Sequence, residues 1–444
     1  MLNPRQIFEG VRSDVPVVVA VSGGSDSVAM LNLAAAWASV VGADLRVVTV
    51  DHGLRPEAAA EAAFVAGLCE GLGLPHFTLA WEGMKPAAGI SEAARQARYL
   101  LMEEFAKDIG AEEILVAHTS DDQAETLWMR NSRDGKNPQW RGLAGMARTM
   151  LLPSGLKVHR PLLDASRDAL RQYLAAIGQV WIEDPSNMDR SFERVRVRQH
   201  LAKTDIAKED ICRFAALSGR YRKLVAKTVS DILVDELVVE NGPVFSIDAR
   251  FMANQPNDHA AILIAQVLVA IAGGREHFVP HDVASKILAL ERGERISSGY
   301  AIVERHKSVF RFYRESRNLE ATHVAPFSQV LWDNRILIDN STDRSYLCSA
   351  MDRGQLKEIE TELGIRMDVR PRAALHASPV LTRENGVHFI PFVQGFNRDI
   401  GLRLTFRVPA IEYFCSEHDF PLLEIVEHVR NELHAEQSPP EIRN

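Results

Sequence analysis

The stretch that most constrains this chain is Val17-Val-Val-Ala-Val-Ser22-Gly23-Gly24-Ser25-Asp26-Ser27, followed by the apolar run Val28-Ala-Met-Leu-Asn-Leu33. Five apolar, mostly β-branched residues suit a strand buried on both faces of a parallel sheet. Two adjacent glycines then permit positive φ, and Ser25, Asp26 and Ser27 are residue types that start helices. Strand, glycine turn and helix start together present unpaired backbone N–H groups at the positive end of a helix dipole, which is a site for phosphate. The turn matches neither G-x-x-x-x-G-K-[ST] nor G-x-G-x-x-G, and its sole charge is the acid Asp26. An acid beside phosphates requires a divalent cation between them, and Mg²⁺ is the ordinary choice.

Further candidate strands end in polar clusters. Leu45-Arg-Val-Val-Thr-Val-Asp51-His52 is a second buried strand, Pro75–Leu79 a third and Glu113-Ile-Leu-Val-Ala-His118 a fourth. Strands alternating with helical segments make an α/β, doubly wound parallel sheet, whose ligands lie at the carboxyl ends of the strands. Asp51 and His52 fall at that edge. So do His118, Asp121, Asp122 and Glu125, too dense a set for helix capping alone, although Asp122 and Glu125 are spaced to cap the helix at Leu127. Between these strands a helix capped by Ser91 carries Arg95 and Arg98 three apart on one face. Farther on, Arg194, Arg196 and Arg198 alternate after the turn Asp184-Pro-Ser-Asn. In an extended segment they would line one side, and on a helix they would spread.

These motifs resemble a known family. Ser22 to Ser27 is the SGGxDS signature of the PP-loop, or N-type ATP pyrophosphatase, superfamily. Val50-Asp-His-Gly-Leu-Arg55, Ala94-Arg-Gln-Ala-Arg-Tyr99, His118-Thr-Ser-Asp-Asp-Gln-Ala-Glu-Thr126, Gly142-Leu-Ala-Gly-Met146 and Arg160-Pro-Leu-Leu163 resemble segments of its tRNA(Ile)-lysidine synthetase branch. The resemblance covers roughly the first half of the chain. It implies ATP cleavage between the α- and β-phosphates and ligation of L-lysine to C2 of the wobble cytidine in the CAU anticodon of tRNA(Ile), through an adenylated intermediate. It places Ser22, Gly23, Gly24, Ser25, Asp26, Ser27, Asp51 and His52 around ATP and makes Asp26 the Mg²⁺ ligand. It puts Asp121 and Glu125 in the lysine or catalytic pocket, His118 on the adenylate side, Arg98 at phosphate or RNA, and Arg194 and Arg198 at tRNA or pyrophosphate, with the cluster of Arg194, Arg196 and Arg198 as the candidate local RNA patch. The family has asparagine where Val195 stands, and residues 131–141 depart from its pattern, so a mobile loop is expected there.

Composition bounds the rivals. A net charge of −8 over 444 residues argues against nonspecific coating of nucleic acid, so RNA must meet local basic patches. Cys69, Cys212, Cys348 and Cys415 lie far apart, without the paired cysteines expected of a tRNA thiolase or the setting of a glutaminase. Two competing functions stay open: a different PP-loop tRNA-modifying enzyme, and a non-catalytic RNA-binding protein that keeps a nucleotide fold. No leader or bilayer-length apolar run is present, so a cytoplasmic protein with no membrane partner is expected, with a homodimer as one candidate assembly. The expected division is a catalytic domain at 1–204, a mainly helical domain at 205–322 with a strand at 243–247 and a hairpin at 300–313, and a small α+β domain at 323–444. The last contains an Asn385-Gly386 hairpin and arginines 366, 370, 372, 383, 398, 403 and 407, a second candidate tRNA surface.

Overall fold

The computed structural model describes residues 2–86, 88–134, 140–183, 190, 193–204, 207–240, 244–252, 259–362, 371–383, 386, 388–394, 401–413 and 415–434. The Asp184-Pro-Ser-Asn turn, Asn385 and the arginines at 366, 370 and 398 lie outside them. The chain forms two compact units: residues 1–222 with 414–418, and residues 223–413 with 419–444.

The first unit is built on strands β1 (Val17–Ala20), β2 (Leu45–Asp51), β3 (His76–Ala80), β4 (Glu113–Leu115), β5 (Thr149–Leu151) and β6 (Lys157–His159). β1 pairs in parallel with both β2 and β4, β3 adds in parallel to β2, and β6 adds in parallel to β4. β5 is antiparallel to β6, and the short strand Cys415–Ser416 closes the edge against β5. The order from that edge is therefore β5-β6-β4-β1-β2-β3.

The helices are α1 (Pro4–Ile7), α2 (Ser25–Val41), α3 (Ala58–Leu72), α4 (Ile90–Asp108), α5 (Ser120–Asp134), α6 (Arg167–Ala176), α7 (Glu193–Leu201) and α8 (Lys208–Glu236). Alternation along β1 decides which layer each residue joins. Val17 and Val19 pack with α2 residues Met30, Leu31 and Leu33 and with Leu170 and Leu174 of α6, whereas Val18 packs with Tyr99, Met102 and Ala106 of α4. The sheet is thus covered on both faces, which explains the unbroken apolar strand.

Several local expectations change. α4 starts at Ile90 behind Gly89 at φ +70°, not behind a Ser91 cap. α5 begins at Ser120, so the acidic motif lies in its first turns rather than in a turn before it. Residues 131–134 continue α5 and Trp140–Ala144 form a 3₁₀ turn, with 135–139 outside the described residues.

In the second unit, 205–322 contains more strand than a mainly helical reading assigns. The rest of α8 and helices His259–Gly273 and His281–Leu288 accompany a five-stranded antiparallel sheet of Val238–Glu240, Val244–Asp248, Val309–Arg314, Ala301–His306 and Arg295–Ser298. Val244 and Tyr313 of this sheet share a core with Met351, Leu356, Leu375 and Val380, and one compact unit spans both sides of residue 322. Strands Pro379–Thr382 and His388–Phe389 pair antiparallel, as the hairpin reading expects. Among the described residues no helix is long and apolar enough to cross a membrane.

Candidate active site

The loop after β1 is held by its own serines. Ser27 Oγ donates to the Gly24 carbonyl (3.0 Å) and accepts from the Ser22 N–H (3.2 Å), with Ser22 Oγ 3.3 Å away. Gly23 has φ +88°, and a Cβ there would stand 3.0 Å from Ile182 Cδ1, so glycine is required for both conformation and space. Gly24 is the N-cap of α2 and brings no side-chain oxygen to it, so the first-turn N–H groups, which have no partner within the helix, are left uncapped by it.

The loop after β4 is capped in a different way. Asp122 Oδ2 accepts from both the N–H and the hydroxyl of Thr119 (2.8 Å each), while the Asp122 N–H points back to Thr119 Oγ1, a capping box for α5. Asp122 Oδ1 is left for the site. The capping reading of this acid therefore holds for one oxygen, while the other meets the Arg167 guanidinium.

Arg167, the first residue of α6 behind the Ser166 cap, joins the two loops. Its Nε donates to Asp26 Oδ2 (3.1 Å), one terminal nitrogen to Asp122 Oδ1 (3.2 Å), and the other lies 3.5 Å from Glu125 Oε1. Because β1 and β4 are adjacent and parallel, their following loops share one edge of the sheet, and this guanidinium spans them. Asp121 faces away from that group. It accepts from the Arg167 backbone N–H (2.8 Å) and from Lys208 Nζ (2.5 Å) at the start of α8.

Glu125 is 2% exposed and takes Arg194 Nε (2.8 Å) and Arg198 Nε (2.7 Å) on its two oxygens. α7 is a helix, which puts Arg194 and Arg198 four apart on one face toward Glu125 and sends Arg196 elsewhere, to the Arg190 carbonyl (2.8 Å). Val195, which replaces the family's asparagine, is buried.

The acids differ electrostatically. Burial, with Asp122 nearby, pushes the Asp26 carboxyl up against the pull of Arg167. For Asp122, burial acts in the same upward sense, but Arg194 and Arg167 outweigh it and hold the group below the usual carboxylate range. Asp121 is likewise held down, against its burial, by the Arg167 N–H and Lys208. His118, just before this cluster, is driven far below the ordinary imidazole value, first by burial and then by Arg160, and its Nδ1 is buried with no hydrogen-bond partner among the described residues.

Asp51 ends β2 and accepts from the Gly53 N–H (2.8 Å). His52 packs edge-on to Trp81, also with a buried, unpartnered Nδ1, and burial and the neighbouring Arg98 lower its pKa. Arg98 is exposed and makes no ion pair with a described residue, while Arg95 lies over the Tyr99 ring. Gln123 of the acidic motif locks the G-L-x-G-M segment: its amide exchanges two hydrogen bonds with Met146, and a Cβ on Gly145 (φ +63°) would stand 2.5 Å from its Oε1.

The sequence motifs single out neither Arg167 nor Lys208, the first at a helix start and the second at the head of α8. A basic residue at a helix start, where the dipole disfavours it, was the signal available.

Residues 3–205 match the PP-loop domain family. Proteins named tRNA(Ile)-lysidine synthase from Brucella ovis, Brucella suis and Brucella canis are each 34% identical over 440 residues, covering 96% of this chain and 97% of the relative. With identity of that extent along nearly the whole length, and the PP-loop signature folded into a strand-turn-helix beside the acidic motif, the chain belongs to the tRNA(Ile)-lysidine synthase family.

Proposed function

We propose that this chain uses ATP to form lysidine on tRNA(Ile): the wobble cytidine C2 oxygen of the CAU anticodon attacks the α-phosphate, pyrophosphate leaves, and L-lysine then displaces AMP at C2. The family relationship supports the overall reaction. The observation that carries its assignment to this site is the Arg167 guanidinium linking Asp26 to Asp122 and Glu125 across the carboxyl edge of the sheet.

The loop N–H groups from Ser22 to Ser27 receive the phosphates and offset the charge that develops on the departing pyrophosphate. Asp51 and His52 lie at the nucleoside side of the same edge. Asp26 and Asp122 are the carboxylates that would hold Mg²⁺, and they fit it: they lie on one guanidinium, one is short of positive charge because it is buried, and the phosphates would supply the remaining oxygens. Held there, Mg²⁺ would supply positive charge that offsets the charge on the phosphates. His118, neutral at pH 7, positions rather than donates charge on the adenylate side. Arg98, unpaired and exposed, is available to an RNA phosphate.

For lysine, Asp121 already accepts a primary ammonium, that of Lys208, which supports it as the amine-binding carboxylate. Glu125 arranges Arg194 and Arg198, whose terminal nitrogens retain donors for phosphate, with Arg196 as the outer RNA contact. The amine must lose a proton before attack, and the neighbouring carboxylates are placed to take it.

The test is incubation with ATP, Mg²⁺, lysine and a CAU-anticodon isoleucine tRNA. A mass increase of one lysine residue, with AMP and pyrophosphate formed in equal amounts, is expected. ATP cleavage that ignores lysine and tRNA would point to another PP-loop chemistry, and tRNA binding without cleavage to an RNA-binding protein.

A further inference from the structure

The four acids at the site, Asp26, Asp121, Asp122 and Glu125, are matched by four cations, Arg167, Arg194, Arg198 and Lys208. Three of these cations sit at the rim, with side chains 31–40% exposed, and two of the three act on a single acid each. Arg167 is different. Its side chain is 16% exposed and reaches three acids on two helices, two of those acids the candidate metal ligands.

Its main chain is fixed independently of its head group. The backbone N–H is tied to Asp121 and the helix start is capped by Ser166, so the guanidinium can change partners without moving α6. A divalent ion on Asp26 and Asp122 would add two positive charges beside this guanidinium, and like charges held that close in a partly buried site repel strongly. The guanidinium must then find anionic oxygens elsewhere. A triphosphate on the Ser22–Ser27 loop provides them in the bidentate geometry that arginine prefers.

We propose that Arg167 and a divalent cation are alternative partners of Asp26 and Asp122, and that Arg167 passes from these carboxylates to the phosphates of ATP when the cation takes its place. This rests on the reading that the loop binds ATP with a divalent ion. Arg167 is thus a positioning residue that makes cation and nucleotide binding depend on each other. Either alone is disfavoured: the cation because it must displace Arg167, the nucleotide because Arg167 remains on the carboxylates. Together they bind cooperatively.

The experiment uses the full chain and Mn²⁺ as the probe, with free Mn²⁺ followed by electron paramagnetic resonance and ATP binding followed by equilibrium dialysis. Without ATP, Arg167→Gln is expected to bind Mn²⁺ at least about tenfold more tightly than the unaltered chain, because two carboxylates lose their competing cation. Arg167→Lys, which keeps the charge without the fork, falls between them. The same Arg167→Gln variant is expected to lose the mutual tightening of Mn²⁺ and ATP. Equal Mn²⁺ affinity in all three proteins, with ATP still bound, overturns the proposal while leaving the ATP site intact. Failure of the unaltered chain to bind ATP removes the underlying reading, and the proposal with it. Should Arg167→Gln not fold, Arg167→Lys against the unaltered chain carries the comparison, and equal Mn²⁺ affinity in those two overturns it.

Discussion

Two groups of arginine and aspartate in this molecule use the same chemistry for opposite ends. In the second unit Arg335 and Arg314 are 0% and 2% exposed and share one acid, Asp333, at 2.7 and 2.8 Å. Their remaining donors end on backbone carbonyls: Arg335 on Ala272 and Ala377, Arg314 on Tyr300 and Glu315. That network ties a helix end, two hairpins and a 3₁₀ turn together. In the first unit the acids equal the cations, few backbone carbonyls take part, and Arg194, Arg198 and Lys208 reach the surface. The difference is closure. Donors consumed by carbonyls cannot be offered to a ligand, whereas charges balanced only by one another can be exchanged for a ligand's charges.

If that distinction holds, mutations at the two clusters separate activity from stability. The largest effect is expected for Asp26→Ala. It removes a carboxylate that burial already strains, so the melting temperature should change little while lysine incorporation falls by about a thousandfold or more, the range for losing metal-assisted charge stabilisation. Near-normal incorporation would break the metal assignment. Next is Arg335→Ala, expected to cost about 3–5 kcal/mol in denaturant unfolding, because Asp333 loses one guanidinium and the Ala272 and Ala377 carbonyls lose their donor. An unchanged midpoint would show that the closed cluster is dispensable. A smaller effect is expected for Gly23→Ala, about 1–2 kcal/mol of strain from a side chain at φ +88° against Ile182, read as weaker ATP binding in a folded protein.

How much of this was readable beforehand differs between the two units for a physical reason. The β1 strand, its glycine turn and the acidic motif are local: their function follows from neighbours within ten residues, and the structure puts all of them at one sheet edge. Arg167 meets Asp26 across 141 positions and Lys208 meets Asp121 across 87, and no local pattern encodes such partners. Arg194 and Arg198 were recognisable as a basic strip, but not as partners of Glu125, because helix or extended backbone could not be decided from alternation alone. In the antiparallel sheet between 238 and 314, the strand expected at 243–247 and the hairpin expected at 300–313 are present, whereas the short edge pieces Val238–Glu240 and Arg295–Ser298 carry no strand pattern of their own.

The smallest expected effect tests the open cluster through pH. Burial first, and then Arg160 with Arg194 and Arg95, keep the His118 imidazole neutral in the folded state, against the opposing charge of Asp122. In the unfolded chain it titrates near the ordinary value of about 6.5. Below that pH the unfolded chain therefore takes up a proton that the folded chain refuses, and stability must fall as pH drops. The slope from one such group is at most about 1.4 kcal/mol per pH unit. His52, His76 and His434 are shifted in the same direction and contribute to the same decline. His118→Asn, neutral at every pH, should flatten the fall in denaturant midpoint between pH 7 and pH 5 without abolishing it. If the variant and the unaltered chain lose stability in parallel over that range, His118 is not held neutral, and the positive field ascribed to the surrounding arginines is weaker than their placement implies.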